Sequence, residues 1–375
     1  MGQVPAGGPD RGERMRACLL AGAVGDALGA AIEFDSLDEI RARHGADGLR
    51  DYAVAYGRRG SVTDDTQLTL FTLEGLIRAR LRLRTKGIGH PPSVVLHAYL
   101  RWLHTQGVSW AQAGGPFAAG RPGPDGWLLT ERALHSRRAP GNTCLSALIV
   151  FAAGGEQGSV ACPPNSSKGC GGVMRAAPAG FWPADIRTVF ELGCEVAALT
   201  HGHPSGYLPA GVLAVAVAAL LTGADLPEAL DAAVGELRGW DGAGETLDAL
   251  DLARTLARRG RPTAEDLEGL GGGWIGEEAL AIAVCVALSA EDLEDGLRLA
   301  VNHSGDSDST GSICGNLLGA RWGDGQLPVR WLDELEARQA IETLAADAAV
   351  EFGETPATTA DGAVPDGWLQ RYPPW

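Results

Sequence analysis

Ser61-Val62-Thr63-Asp64-Asp65-Thr66-Gln67-Leu68-Thr69-Leu70-Phe71-Thr72-Leu73-Glu74-Gly75-Leu76-Ile77, residues 61–77, joins an acidic cluster to apolar residues at helical spacing, Leu68, Phe71, Leu76 and Ile77. Taken alone, the cluster is a helix start, because Thr and Asp cap free amides and suit the positive end of the helix dipole. Adjacent carboxylates repel each other, however, and a pair flanked by hydroxyls is also what a hard divalent cation binds.

The same spacing recurs outward from this stretch, in Phe190, Val196 and Leu199 and in Leu332, Leu335, Ile341 and Leu344. Ala-rich segments at 210–221, 279–288 and 340–349 favour helix by propensity, and strand-like alternation is scarce. The chain therefore reads as mainly α. No internal repeat and no long linker separates Arg14 from Phe352, so one compact domain is expected over 13–353. A Gly/Pro-rich N-terminal tail (1–12) and a C-terminal tail (354–375) carrying Pro356, Pro365, Pro373 and Pro374 are set outside the core.

Lys and Arg total 31 against 47 Asp and Glu, a net charge of −16, which argues against a general nucleic-acid binder. With 45% hydrophobic and 21% charged residues the chain is no disordered polymer and can bury a large core. Leu208–Leu221 is interrupted by Pro209 and Gly211, and 279–290 is shorter still, so no membrane helix is expected. No apolar run precedes the first charges, so no secretory signal is expected and a cytoplasmic location is. Cys18, Cys144, Cys162, Cys170, Cys194, Cys285 and Cys314 are scattered and never spaced C-x-x-C, as fits reduced thiols.

A second acidic cluster, His303-Ser304-Gly305-Asp306-Ser307-Asp308-Ser309-Thr310-Gly311, also precedes a helical pattern, Ile313, Leu317 and Leu318. An EF-hand starting at Asp306 fails because its twelfth position is Leu317. A D-x-D-x-T phosphatase nucleophile would open an α/β domain, and too little chain follows. What remains is one site built from two distant helix starts, where four carboxylates with Thr63, Ser309 or Thr310 hold two Mg²⁺ ions, Mn²⁺ being the alternative. Such a cluster without cations is strongly destabilising.

Read in order, Gly25-Asp26-Ala27-Leu28-Gly29 with Glu33, Thr63-Asp64-Asp65-Thr66, Gly169-Cys170-Gly171-Gly172-Val173-Met174-Arg175, Thr200-His201 and Gly305-Asp306-Ser307-Asp308-Ser309 resemble the ADP-ribosylglycohydrolase family, which includes the dinitrogenase-reductase-activating glycohydrolases. The resemblance spans roughly residues 15 to 325 and implies an all-α, single-domain orthogonal helical bundle with a dinuclear magnesium centre under an ADP-ribose cleft. It implies Thr63, Asp64, Asp65 and Asp308 on one ion and Glu33, Asp306, Asp308 and Ser309 on the other, with Asp308 bridging. Ser309 stands where the family usually has Thr.

By the same resemblance, Ser167, Lys168, Gly169, Cys170, Gly171 and Gly172 form the loop whose amides hold the diphosphate and distal ribose. Cys170 replaces a common Asn, and a neutral thiol is a poor substitute for its amide. The alternative for this loop is an ordinary tight turn. His201 matches a position near the ligand. Gly273 and Trp274 resemble the loop whose aromatic residue stacks on adenine, and a Trp set among glycines has few neighbours to pack against. Asn142 is a further cleft candidate, with a helix cap as its alternative. Gly22, Gly25 and Gly29 share one helical face, read as close packing, with Asp26 orienting metal ligands through hydrogen bonds.

The implied activity is metal-dependent hydrolysis of the N- or O-glycosidic bond at C1″ of ADP-ribose, first of all on protein arginine, with Glu33, Asp64 or Asp65 as base. Serine-linked, O-acetyl and nucleic-acid-linked ADP-ribose are alternative substrates, and a non-catalytic ADP-ribose binder is the alternative outside enzymes.

Overall fold

The computed structural model describes residues 8–120, 122–359 and 362–373. Helix α1 (Arg11–Gly29) starts where the Asp10 carboxylate accepts the Glu13 amide at 2.8 Å and Glu13 accepts the Asp10 amide, a reciprocal cap. From Ala17 to Gly29 every residue of α1 is buried, so this helix is surrounded rather than laid on a surface. There follow α2 (Leu37–His44), a hairpin of β1 (Val54–Ala55) and β2 (Arg58–Arg59), α3 (Asp64–Lys86), α4 (Pro91–Thr105) and α5 (Trp110–Ala113). The middle of the chain forms α6 (Asn142–Ala152), α7 (Ile186–Ala198), α8 (Pro204–Leu221), α9 (Leu226–Leu237), α10 (Gly244–Ala257) and α11 (Ala264–Glu268). The last helices are α12 (Gly276–Ser289), α13 (Leu293–Val301), α14 (Ser307–Trp322), α15 (Val329–Glu334), α16 (Arg338–Glu351) and α17 (Asp366–Arg371).

The fold is all-α apart from that hairpin, and the three Ala-rich segments are the interiors of α8, α12 and α16. By length and composition α8 is apolar enough to cross a bilayer, yet 83% of it is buried inside the protein, where it serves as a core helix.

What positions the site is the pairing of α1 with α14. A Cβ on Gly25 would lie 2.0 Å from the Gly311 carbonyl oxygen, and one on Gly29 would lie 2.3 Å from the Asp308 amide nitrogen. The reverse holds too: a Cβ on Gly311 would lie 2.5 Å from the Gly25 oxygen. The two backbones are in contact with no room for a side chain, which only glycine allows. The contacts run antiparallel, so the end of α1 and the start of α14 are brought together, and Glu33 with Asp308.

The ends differ from the expectation of tails. Residues 1–7 lie outside the described residues, but Asp10 already caps α1 and Arg11 begins it. The Pro-rich C-terminal stretch returns to the core: Tyr372 is fully buried, and its hydroxyl donates to Asp347 Oδ2 at 2.6 Å. The Pro373 carbonyl accepts from Arg78, which is held with Arg101 on the buried carboxylate of Glu74. Pro365 acts as the helix-starting residue of α17 rather than as a breaker, and the apolar side of that helix, Trp368 and Leu369, packs on the core.

Candidate metal centre and substrate cleft

Thr63 caps α3, its hydroxyl accepting the Asp65 amide at 3.3 Å, so the helix-start reading of the first cluster is correct as far as it goes. Both following carboxylates, Asp64 and Asp65, are nevertheless buried, as surface caps are not. The start of α3 is fixed by Asp26 of α1. Its two carboxylate oxygens accept the Thr63 amide, each at 3.0 Å, and Oδ2 also accepts the Thr66 amide at 3.1 Å and the Thr66 hydroxyl at 2.5 Å. Asp26 thereby holds the first turn of α3, from which Asp64 and Asp65 project.

Asp306 caps α14, and Asp308 lies in its first turn. Glu33 follows from the turn after α1. Glu33, Asp306 and Asp308 each offer an oxygen within 4.8 Å of the others, and all three are buried. Asp64 and Asp65 line the same cavity, of about 210 Å³, together with Ser309, Gly169, Cys170, Gly171, His201 and Trp274. The two acidic clusters, far apart in sequence, thus meet. Thr63 does not line the cavity, although its side chain lies beside Asp308. Of the two candidate hydroxyls on α14, Ser309 faces the cavity, whereas Thr310 bonds back to the Asp306 and Ala300 carbonyls and to His303.

Burial first, then the neighbouring Asp308, pushes Glu33 up to about 10 and Asp26 up to about 7. The same two causes hold Asp64, Asp65 and Asp306 well above the usual carboxylate range, and burial raises Asp308. Glu33 Oε2 and Asp65 Oδ1 are buried without a hydrogen-bond partner. Buried carboxylates are normally paired, and among the described residues no Lys or Arg lines the cavity. The residues present therefore fit one or more oxygen-binding cations, which would supply the missing partner for both orphan oxygens.

Two glycine-rich loops close over this cluster. They are clasped by an antiparallel bridge, the Cys170 amide donating to the Trp274 carbonyl at 3.1 Å and the Gly276 amide to the Lys168 carbonyl at 2.8 Å. The Cys170 thiol donates to Asp306 Oδ2 at 2.8 Å. His201 is buried and held down to about 3 by desolvation and then by the charge of Arg175, so its imidazole is neutral. Arg175 Nη2 donates to the Thr200 hydroxyl at 2.6 Å, and that hydroxyl lies 2.8 Å from His201 Nδ1. His201 Nε2 lies beside Gly169 and Gly171, so the neutral ring presents a polar nitrogen at the cavity.

Trp274 is 46% exposed and stacks on Phe34, 73% exposed, with ring centroids 5.9 Å apart and planes 20° from parallel. Ser167 and Asn142 line a second groove of about 610 Å³ that shares Thr143 with the carboxylate cavity. Asn142 makes no cap, since Gly141 takes that position. Lys168, Gly172 and Gly273 line neither space. Lys168 Nζ pairs with Glu245 at 2.7 Å, a Cβ on Gly172 would meet the Gly206 carbonyl, and Gly273 fits its loop against Asp306 and Thr310.

Several residues of the site carry no motif. Phe34 is signalled only by its place after Glu33. Ala139 lines the cavity with a left-handed φ of 49°, and Gly141 lines it with Asp64. Tyr56, at φ 51° in the hairpin turn before Gly57, is raised by burial and then by the Glu33 and Asp308 charges, and the Arg138 guanidinium lies 5.5 Å over its ring. Tyr-Gly between two short extended pairs is the one sequence signal that marks that turn.

Residues 8–357 match the sequence profile of a family described as ADP-ribosylglycohydrolase. A protein of Archaeoglobus fulgidus, named only as uncharacterized, is 27% identical over 341 residues, covering 89% of this chain and 95% of its own. The ADP-ribosyl-[dinitrogen reductase] glycohydrolase of Rhodospirillum rubrum is 24% identical over 340 residues, 88% of this chain and 93% of its own. Among solved structures, one titled ADP-ribosylglycohydrolase-related protein complex superposes with a TM-score of 0.64 at 25% identity, covering 92% of this chain and 99% of that one.

Proposed function

The chain belongs to the ADP-ribosylglycohydrolase family and is a glycosidic-bond hydrolase, and from that premise we propose that it releases ADP-ribose from modified protein arginine with two Mg²⁺ ions. The observation that carries the reading is the convergence of Glu33, Asp64, Asp65, Asp306 and Asp308 on one small cavity, with Glu33 Oε2 and Asp65 Oδ1 unpaired. Thr63, Asp64, Asp65 and Asp308 would hold one ion and Glu33, Asp306, Asp308 and Ser309 the other, Mn²⁺ suiting the same donors. When bound, such ions neutralise the carboxylates and lower the pKa of a water.

The cavity is smaller than the ~300–1,000 Å³ typical of sites that enclose a whole drug-sized ligand. It suits the distal ribose, and the larger groove beside it, lined by Asn142, Thr143 and Ser167, suits the adenosine end. His201 Nε2 meets a ribose or phosphate oxygen between the two. Glu33, Asp64 or Asp65 takes the proton of the attacking water, and its negative charge stabilises the oxocarbenium character at C1″.

In this arrangement Trp274 flanks the reacting end rather than the adenine, since it lines the carboxylate cavity and not the groove. With Phe34 it offers aromatic faces beside the reacting centre, a setting that favours a planar cation as leaving group. An arginine guanidinium is such a group, and a serine hydroxyl is not. All seven cysteines are free, in accord with the cytoplasm as compartment.

The test is a panel of arginine-, serine-, O-acetyl- and nucleic-acid-linked ADP-ribose assayed with and without magnesium. Magnesium-dependent release from the arginine linkage is expected. Release from serine-linked substrate alone would move the acceptor assignment, and tight ADP-ribose binding without turnover on any substrate would make the protein a binder.

A further inference from the structure

We infer that Cys170 makes this centre a site for thiophilic divalent ions, Zn²⁺ and Cd²⁺ above all, gripped between its sulfur and the Asp306 carboxylate. The inference rests on the reading of the cavity as a cation site, and it adds a ligand of a different chemical class. Cys170 Sγ lies 2.8 Å from Asp306 Oδ2 and 3.7 Å from Ser309 Oγ, so the thiol is turned toward two residues of the proposed oxygen-ligand set. The second observation is independent of the cysteine. Asp65, 2% exposed, and Glu33, 6% exposed, line the same cavity, and each carries an oxygen without a partner.

A hard ion such as Mg²⁺ takes carboxylate, hydroxyl and water oxygens and passes over sulfur, whereas Zn²⁺ and Cd²⁺ gain from a thiolate. With Zn–S near 2.3 Å and Zn–O near 2.1 Å, a tetrahedral ion needs about 3.6 Å between sulfur and oxygen. The present pair opens by somewhat under 1 Å when the ion replaces the thiol proton between them. Asp65 Oδ1, unpaired on the same cavity, can take a third position, and water completes the set. The exchange balances as thiol plus divalent ion giving the metal thiolate and one proton released to solvent. No electron is transferred.

Cys144, the other thiol on this cavity, does not compete for the role. The guanidinium of Arg175 donates to it at 3.2 Å and places a positive charge against it. Cys162 is exposed and belongs to another surface, so it is replaced by Ser in the protein used for the test.

The experiment is an ultraviolet titration of the folded full chain with Cd²⁺, which reports a sulfur-to-metal charge-transfer band, alongside calorimetry with Zn²⁺ and Mg²⁺. The Cys162→Ser protein is expected to develop the band and saturate at one sulfur-bound ion. Adding Cys170→Ser is expected to abolish the band and weaken Zn²⁺ by about 10-fold or more, while Mg²⁺ still binds. A band that survives Cys170→Ser, or unchanged Zn²⁺ affinity without the sulfur, overturns the inference alone. Failure of Mg²⁺ and Cd²⁺ alike to bind removes it together with the cation reading under it.

Discussion

Asp308→Asn is expected to have opposite effects on stability with and without magnesium. Asp308 is the leading charge acting on Asp26, Glu33, Asp64, Asp65 and Asp306. Two full charges 4.8 Å apart, the outer limit of separation between the Glu33, Asp306 and Asp308 oxygens, repel by about 3.5 kcal/mol at an effective dielectric of 20. Protons bound by the raised carboxylates remove part of this at neutral pH, leaving ~1–2 kcal/mol per variant. An unfolding entropy of roughly 2.1 cal/mol/K per residue gives about 0.8 kcal/mol per degree for a chain of 375 residues. In chelator, then, the variant should melt about 1–3 °C above the wild type. With Mg²⁺ at a hundred times Kd, each bound ion adds about 2.7 kcal/mol to the wild type, so two ions raise it by ~7 °C. The variant loses the shared ligand and most of that rise. Scanning calorimetry in EDTA and in excess Mg²⁺ reads both arms, and Asn keeps an oxygen for the Ser309 amide. A variant less stable than wild type in EDTA that still gains the full magnesium increment would refute the reasoning.

The other predictions address pH and scaffold. For a carboxylate raised by folding, the unfolded chain ionises first, so stability is lost from the unfolded pKa upward until the folded pKa is reached. Glu33, raised from 4.5 to about 10, and Asp26, raised from 3.8 to about 7, should make the cation-free protein less stable as pH climbs from 5 to 7, by up to ~1.4 kcal/mol per unit for each group. Urea unfolding across that window in EDTA measures the slope, and a cation-free stability that climbs with pH would contradict it. Asp26→Ala should cost ~2–5 kcal/mol, since the buried Thr63 and Thr66 amides lose their acceptor, and should lower ADP-ribose release by displacing Asp64 and Asp65. Asp26→Asn, which keeps one acceptor oxygen, should fall between. Gly25→Ala forces α1 and α14 apart and should cost upward of ~3 kcal/mol with loss of cation binding. An alanine variant of wild-type stability would mean that this close approach does not position the site.

Helices and their acidic starts were legible because both are local. Apolar spacing marks α3, α7 and α16, and Thr63 and Asp306 sit where caps belong. The meeting of the two clusters was legible only through the order of motifs, because a single sequence holds no direct record of contacts between distant residues. Gly25 and Gly29 were read as a packing face, and their contact with Gly311 and Asp308 is what brings Glu33 to Asp308. Phe34, Ala139 and Tyr56 were missed for different reasons. An exposed Phe carries no periodic signal, and nothing in the side chain of Ala139 or Tyr56 announces a left-handed backbone. The C-terminal stretch misled by composition, since its prolines hid Tyr372, whose burial depends on Asp347 in a helix already complete.

The central claim is that carboxylates from the starts of α3 and α14 and from the turn after α1 jointly hold divalent cations at the point of hydrolysis. Anomalous diffraction from crystals grown with Mn²⁺ tests it most directly. The account predicts two anomalous peaks inside the cavity, both touching Asp308, one also within ligand distance of Asp65 and the other of Glu33. Its contradiction would be a cavity without an anomalous peak in protein that still releases ADP-ribose from its substrate.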